Sequence, residues 1–287
     1  MQEIVTLLIN LFVLTFVLTS MFGTGLSLTV PQILEPLKDW TLVLLALLGN
    51  FIIVPALAYG IALVLGLSDG LRAGLIILAA CAGAPFLPKL AGVAKGNLAF
   101  SVGLMVLLMV VTVVFAPVVL PLLIPGVAVN PWDIARPLIA LMLVPLGVGL
   151  GVKAWTPNLA DSLAPMMNQA SSLSLMLAGL LALLIGYREL LAVVGTGAFL
   201  ATALLIAGAL ATGFLLTRGG PANRSVMALG TGQRNISAAL LIATTNFTDP
   251  EVILIVMVGS VVGLVLLFLA AGFLGKRATA ATRDGAF

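Results

Sequence analysis

Long apolar runs alternate with short polar segments along almost the whole chain. Each run is roughly 20 residues or longer, which is the length that an α-helix needs to cross a ~30 Å hydrocarbon core. The segments between them, such as LSDG, PGVAVNP and NFTDP, are rich in residues that favour turns. The pattern predicts nine membrane-spanning helices, at about residues 4–29, 40–65, 72–94, 98–124, 132–153, 161–187, 190–217, 222–246 and 251–275.

The third and eighth spans contain residues that a plain lipid-facing helix would not carry. The third includes CAGAPFLPKLAG, in which Pro85 and Pro88 would each cost about 3 kcal/mol or more inside a continuous helix. The eighth includes GTGQRN at 230–235, where two glycines weaken the helix. We therefore predict a break in each span. Spans that are five apart in order run in opposite directions, which favours two inverted repeats, spans 1–4 and 6–9 around span 5.

Composition excludes a soluble globular domain, because 62% of the residues are hydrophobic, only 8% are charged and the mean hydropathy is +1.27. The basic residues are scattered, so no nucleic-acid partner is expected. Cys81 is the single cysteine and histidine is absent, so we expect no internal disulfide, no metal site and no cofactor. An enzyme inside the membrane would need a nucleophile and a base there, and the predicted spans carry no His and have Asp or Glu only at their ends. We therefore predict that the chain is not an enzyme.

The distribution of lysine and arginine predicts the orientation in the cell membrane. With the N-terminus outside, the outer loops hold only Arg72, Arg136 and Arg188. The cytoplasmic segments then hold Lys38, Lys95, Lys153, Arg218, Arg224, Lys276, Arg277 and Arg283. This excess places the C-terminus in the cytoplasm. We expect residues 276–287 to be a disordered tail and residues 4–22 to belong to a mature span rather than to a signal peptide.

The two remaining basic residues, Lys89 and Arg234, lie within the interrupted spans, whereas all ten acidic residues lie at span ends, in loops or at the termini. A charged residue at bilayer depth is costly and normally functional. Helix N-termini at the breaks would add to the positive potential. These features favour a secondary transporter that binds an anion near the midplane. Two plain alternatives stay open: Arg234 binds backbone carbonyls of the break, or Lys89 reaches the cytoplasmic surface.

Several polar residues and prolines cluster at the two breaks. We predict substrate-binding or coupling roles for Thr231, Gln233, Arg234, Asn235, Ser237, Pro85, Pro88 and Lys89. A buried lysine could carry a coupling proton. The polar residues could instead form hydrogen bonds between helices, and Cys81 is interpreted as packing.

Four motifs occur in the order and spacing of a known family. They are MFGTGLSL at 21–28, GNFIIVPALA at 49–58, AKGNLAFSV at 94–102 and GTGQRN at 230–235. The chain resembles the bile acid:sodium symporter superfamily almost from end to end, without gaps from Asn50 to Ser101. The resemblance implies a panel domain of about residues 4–29 and 132–187 and a core domain of about 40–124 and 190–275. It also adds Asn50 and Ser101 to the predicted site.

The resemblance also implies sodium ligands, and most of them are replaced here. The positions of the family's sodium-binding side chains fall on Leu87, Pro88, Ser101, Met105, Gly230, Asn50 and Arg234. The central family glutamate falls on Gly230, and only Asn50 and Ser101 keep a side-chain oxygen. A family glutamine that completes the second sodium site falls on Asn50, and its partner glutamine falls on Arg234, which is a fixed cation.

We therefore predict carriage of a small organic anion, a carboxylate or sulfonate of bile-acid size or smaller, without sodium. The coupling ion is then a proton, or there is none. The alternative is a sodium-coupled anion symporter, as in the family at large. Cation/proton antiport would need a carboxylate inside the membrane, and the predicted spans carry acidic residues only at their ends.

Overall fold

A computed structural model describes residues 2–124, 131–192 and 195–283, and within these ranges every regular element is a helix. The α-helices are α1 (Gln2–Ser27), α2 (Val30–Leu34), α3 (Trp40–Leu48), α4 (Val54–Val64), α5 (Asp69–Ala80), α6 (Leu87–Val93), α7 (Leu98–Leu123), α8 (Pro131–Leu138), α9 (Val144–Trp155), α10 (Pro157–Ala192), α11 (Ala198–Leu216), α12 (Pro221–Gly232), α13 (Ile236–Asn246) and α14 (Pro250–Arg283). A 3-10 turn, Glu35–Lys38, follows α2, and π-helical turns at Gly49–Ile53 and Ile139–Leu143 join α3 to α4 and α8 to α9. The predicted turn at 125–130 and the tail residues 284–287 lie outside the described residues.

Five helical segments of the described chain are long and apolar enough to cross a membrane: Trp40–Val64, Leu98–Leu123, Ile134–Trp155, Ala198–Leu216 and Pro250–Thr279. The protein is thus a polytopic, all-helical membrane protein. The two interrupted spans do not meet this test because each consists of two shorter helices, α5 with α6 and α12 with α13. The count of nine spans, the inverted repeat and the orientation stay predictions.

The predicted turn at 187–189 is wrong, because α10 continues through it to Ala192. Tyr-Arg-Glu contains neither glycine nor proline, and charged residues alone do not end a helix. The chain turns instead next to Gly195 and Gly197, whose φ angles are 115° and 85°. These left-handed conformations strongly favour glycine.

The predicted disordered tail is also wrong over most of its length, since α14 continues to Arg283. Residues 276–283 contain alanine, lysine and arginine without glycine or proline, and these residues favour helix. The helix is further held where Gly275 lies against the backbone of Val93 at the end of α6.

The chain divides into two compact units. The first comprises Met1–Pro31 and Ala135–Thr196, and the second comprises Gln32–Ile134 and Gly197–Phe287. Their roles as panel and core stay a proposal.

In the first unit, α1 packs against α9 and α10 at close range. A Cβ atom on Gly25 would lie 2.3 Å from the carbonyl oxygen of Leu146 and 2.9 Å from the Cα atom of Gly149. A Cβ atom on Gly149 would likewise lie 2.5 Å from the carbonyl oxygen of Phe22. The glycine in the MFGTGLSL motif therefore allows two helix backbones to touch, which is how small residues stabilise helix pairs in membranes.

Substitution of Gly25 by alanine is expected to lower the free energy of unfolding by about 1–3 kcal/mol, because the added methyl group meets backbone atoms that cannot rotate away. The measurement is unfolding of the purified protein in detergent micelles. Gly147→Ala on α9 is the matched control, because no atom lies within 4 Å of its added methyl group. Equal stability of the two variants would contradict the close contact.

In the second unit, α5 is the most enclosed helix of the interrupted spans. Ten of its twelve residues are buried, and it contacts α4, α7, α13 and α14. The buried half-helices α12 and α13 complete this interior. All of the predicted site residues lie in this unit.

Candidate functional site

The first break follows α5 and spans residues 81–86. Pro88 lies in the first turn of α6, where its missing N–H group is no loss, and Pro85 lies in the turn before it. Gly83 has a φ angle of 76° and lies directly against the backbone of α7. The prolines therefore start a new helix rather than kinking an old one, and the predicted interruption is present.

Thr112 of α7 binds the backbone that the first break frees. Its hydroxyl accepts a hydrogen bond from the amide of Ala82 at 3.0 Å and donates one to the carbonyl oxygen of Ala82 at 3.0 Å. Both groups are buried, so this threonine replaces the missing helical partners. The sequence analysis missed Thr112, and its one signal is that it is the single threonine of α7.

The second break comprises Gln233, Arg234 and Asn235, and Asn235 joins it to the first. The amide of Asn235 donates to the carbonyl oxygen of Cys81 at 2.9 Å, and its Nδ2 donates to the carbonyl oxygen of Gly83 at 2.8 Å. Its Oδ1 accepts a hydrogen bond from the amide of Ala238 at 3.1 Å and caps α13. The two breaks are therefore in direct contact through backbone and side-chain hydrogen bonds.

Arg234 is buried next to this contact, with only 4% of its surface exposed. Its Nη2 donates to Oδ1 of Asn50 at 2.7 Å and to the carbonyl oxygen of Thr231, and its Nη1 donates to the carbonyl oxygen of Ala79 at 3.1 Å. No carboxylate of the described residues forms an ion pair with it. The guanidinium is thus surrounded by neutral oxygen atoms and keeps its full positive charge.

Asn50 is placed for this contact by the π-helical turn Gly49–Ile53. Pro55 has no amide hydrogen, which favours a local widening of the helix four residues before it. The Nδ2 atom of Asn50 donates to the carbonyl oxygen of Ala46 at 3.0 Å and to Oγ1 of Thr231 at 3.2 Å. Both ends of the amide are therefore used, and its oxygen points to Arg234.

Two buried polar atoms at the second break have no hydrogen-bond partner: Oε1 of Gln233 and Nε of Arg234. Unpaired polar groups in the interior are costly and uncommon. The second break therefore holds an unpaired acceptor and an unpaired donor on consecutive residues.

The other predicted residues are further from this network. Ser101 is buried, but its hydroxyl donates to the carbonyl oxygen of Leu98 in its own helix at 2.7 Å. Ser237 is buried in the first turn of α13, and Pro85 and Pro88 are half-buried. Lys89 is exposed, with its Nζ 5.5 Å from the ring centre of Phe86. The structure therefore brings Asn50, Thr231, Arg234 and Asn235 together without Lys89, whose role stays a prediction.

Four of the seven positions that the family resemblance aligns with sodium ligands have no side-chain oxygen or nitrogen: Leu87, Pro88, Met105 and Gly230. A Cβ atom on Gly230 would lie 2.9 Å from Cδ2 of Leu104 and 3.1 Å from Cδ2 of Leu87. Met105 is buried as well. A glutamate at position 230 would have to displace both leucines, so these residues do not fit a sodium ion that is neutralised by a carboxylate. Among the described residues, no group of three or more His, Cys, Asp or Glu side chains is arranged so that it could hold a metal ion.

Comparison with known proteins agrees with the resemblance seen in the sequence. The sequence model of the sodium bile acid symporter family matches residues 12–194 of this chain. A probable sodium/metabolite cotransporter, BASS2, chloroplastic, of Oryza sativa subsp. japonica is 27% identical over 259 residues, 87% of this chain and 59% of that protein. A sodium-dependent transporter, YocS, of Bacillus subtilis (strain 168) is 26% identical over 146 residues, 50% of this chain and 46% of that protein. The chain spans about half the length of these curated relatives.

Proposed function

Because the chain belongs to the sodium bile acid symporter family, we propose that it is a secondary transporter of an organic anion in which Arg234 takes the place of a bound sodium ion. The substrate is a carboxylate or a sulfonate of bile-acid size or smaller, and it moves by alternating access. The proposal places the protein in the cell membrane with the N-terminus outside and the C-terminus in the cytoplasm. The family and the relatives it matches are named as transporters and not as enzymes.

The observation that carries this proposal is the oxygen shell of Arg234. One amide oxygen, from Asn50, and two backbone oxygens, from Ala79 and Thr231, surround a single cationic group. Neutral oxygens of this kind are the ligands that hard cations prefer. A guanidinium fixed among them supplies the charge of a bound cation without depending on the cation in solution. The leucines beside Gly230 support the same conclusion, since they fill the space of the missing carboxylate.

The charge of Arg234 also supports an anionic substrate. A buried cation without a carboxylate partner is unfavourable, and an anion that binds next to it removes the imbalance. The N-terminus of α13, which begins directly after Asn235, adds a positive dipole end. The unpaired Nε of Arg234 is a further donor at the same break.

The coupling ion is then a proton, or transport is uncoupled. A second candidate function is a sodium-coupled symporter of the usual family type. The names of both relatives refer to sodium and support this candidate. That candidate needs a sodium site that does not use the positions of Gly230 and Leu87.

Uptake into proteoliposomes is expected to continue at the same rate when sodium is replaced by choline. The reason is that the cation of the site is the side chain of Arg234, which is part of the protein and cannot leave. A thermal-shift screen of carboxylates and sulfonates first selects the substrate. Flux is then measured with a sodium gradient, with a pH gradient and with neither. Uptake that stops in choline would contradict the proposal and favour sodium symport, whereas dependence on the pH gradient alone would identify the proton as the coupling ion.

A further inference from the structure

An apolar groove lies on the second unit between α11, α12 and α14, and none of the residues that line it belongs to the hydrogen-bond network of Arg234. It encloses about 380 Å³. Its walls include Leu210 and Phe214 of α11, Ala228 of α12, and Ala270, Phe273 and Arg277 of α14. Apart from Arg277, these side chains are hydrocarbon, so the groove suits an apolar chain rather than a polar metabolite.

Two arginines lie over the aromatic walls of this groove. The guanidinium carbon of Arg277 is 4.7 Å from the ring centre of Phe273, and that of Arg224 is 5.2 Å from the ring centre of Phe214. Contact with an aromatic face holds a guanidinium in place while its N–H groups stay free to bind an anion. The groove therefore has two positioned cations at its rim.

Neither arginine has an acidic partner in the part of the chain that the structure describes. The ion pairs found there join Lys38 to Glu35, Arg72 to Asp69 and Lys153 to Asp161. Arg224 and Arg277 are both exposed. Their charges are thus available to an anion from outside the chain.

Both arginines lie where an apolar segment ends. Arg277 is near the end of the apolar segment Pro250–Thr279, and Arg224 is in the first turn of α12. Next to the groove, Leu215 and Phe273 expose 79% and 55% of their surfaces, so the apolar lining continues onto the outer surface of the unit. In a membrane that surface meets acyl chains, and the charged rim lies at the level of the headgroups.

We propose that the groove binds an anionic phospholipid, with an acyl chain between α11 and α14 and the phosphate on Arg224 and Arg277. Basic pockets between membrane helices on the cytoplasmic side bind anionic lipid headgroups. A lipid is favoured over the transported anion as occupant because the groove opens onto the hydrocarbon surface.

The test is a titration of the purified full-length protein in detergent with phosphatidylglycerol or with phosphatidylcholine of the same chains. We expect phosphatidylglycerol to raise the Tm more than phosphatidylcholine does. Substitution of either Arg224 or Arg277 by glutamine is expected to weaken phosphatidylglycerol binding about fivefold, and the double variant about 25-fold. Arg218→Gln, an exposed basic residue before α12 that does not line the groove, should leave binding unchanged.

A second variant tests the groove without changing a charge. Ala270→Trp should fill the groove and remove the preference for phosphatidylglycerol. Equal shifts with the two lipids, or a double variant that keeps the preference, would overturn the proposal. Inorganic phosphate that gives the same shift would identify a free phosphate site, and cholate that displaces the lipid would assign the groove to the transported anion; either result also overturns the proposal.

Discussion

Substitution of Arg234 by glutamine is expected to abolish uptake of the organic anion and to lower the free energy of unfolding by about 1–3 kcal/mol, the cost of leaving buried acceptors without their donor. The variant leaves the oxygens of Asn50, Ala79 and Thr231 without their donor. Glutamine keeps a donor but is shorter and neutral. Arg234→Lys keeps the charge but loses the planar guanidinium and its several N–H donors. We therefore expect its stability to lie between those of the unmodified protein and Arg234→Gln, and its uptake to be reduced.

The measurements are unfolding in detergent micelles and uptake into proteoliposomes. Arg218→Gln is the matched control, because Arg218 is exposed and lies outside the network. A sodium titration separates the two roles of Arg234. If the guanidinium replaces a cation, sodium should raise the Tm of Arg234→Gln, since it can occupy the vacated oxygen shell, and should not change that of the unmodified protein.

Two results would contradict this prediction in different ways. Uptake by Arg234→Gln at the normal rate would show that the cation is not needed for transport. A variant that is destabilised but whose Tm does not respond to sodium would show that Arg234 has only a structural role, linking α5 and α12.

The two breaks could be predicted from the sequence because proline and glycine both disfavour a helix through the backbone itself: proline by its ring and missing amide hydrogen, and glycine by its conformational freedom. Pro85 and Pro88, three residues apart, disfavour a continuous helix on steric grounds, and the glycines at 230 and 232 weaken the eighth span. Charged residues impose no such restriction, which is why the predicted turn at 187–189 and the predicted tail were wrong. Gly195 and Gly197, rather than the charges, mark the true end of α10.

The partners of Arg234 could not be predicted in the same way. Two of them are backbone carbonyls, which every residue has, so the side-chain sequence gives no sign of which ones the guanidinium reaches. Asn50 entered the prediction through the family resemblance, and the π-helical turn that aims it was not foreseen. Thr112 was missed for the same reason, since it binds the backbone of Ala82.

The exposure of Lys89 shows a further limit. A helical period predicts which residues share a face only while the helix is continuous. Residues 81–86 are irregular, so the face of α6 that carries Lys89 is unrelated to the period of α5. A sequence can therefore show that a charge lies near a break without showing whether it turns inwards.

Substitution of Gly83 by alanine is expected to lower the free energy of unfolding by about 2–5 kcal/mol and to abolish uptake. The left-handed backbone contributes about 1–2 kcal/mol for a residue with a side chain, and overpacking contributes about 1–3 kcal/mol. The added methyl group would lie 2.2 Å from the amide nitrogen of Met109 and 2.7 Å from the carbonyl oxygen of Met105. These are backbone atoms, so α7 would have to move as a whole.

Movement of α7 would separate Thr112 from Ala82, and movement of the break would weaken the hydrogen bond from Asn235 to the carbonyl oxygen of Gly83. One methyl group would then disturb both interrupted spans. Gly66→Ala is the matched control, because Gly66 has a φ angle of 59° but no atom within 4 Å of the added methyl group. Gly66→Ala should lower the free energy of unfolding by only about 1–2 kcal/mol and leave uptake unchanged. Equal losses in the two variants would show that the contact with α7 does not hold the break, and that backbone strain alone accounts for the effect.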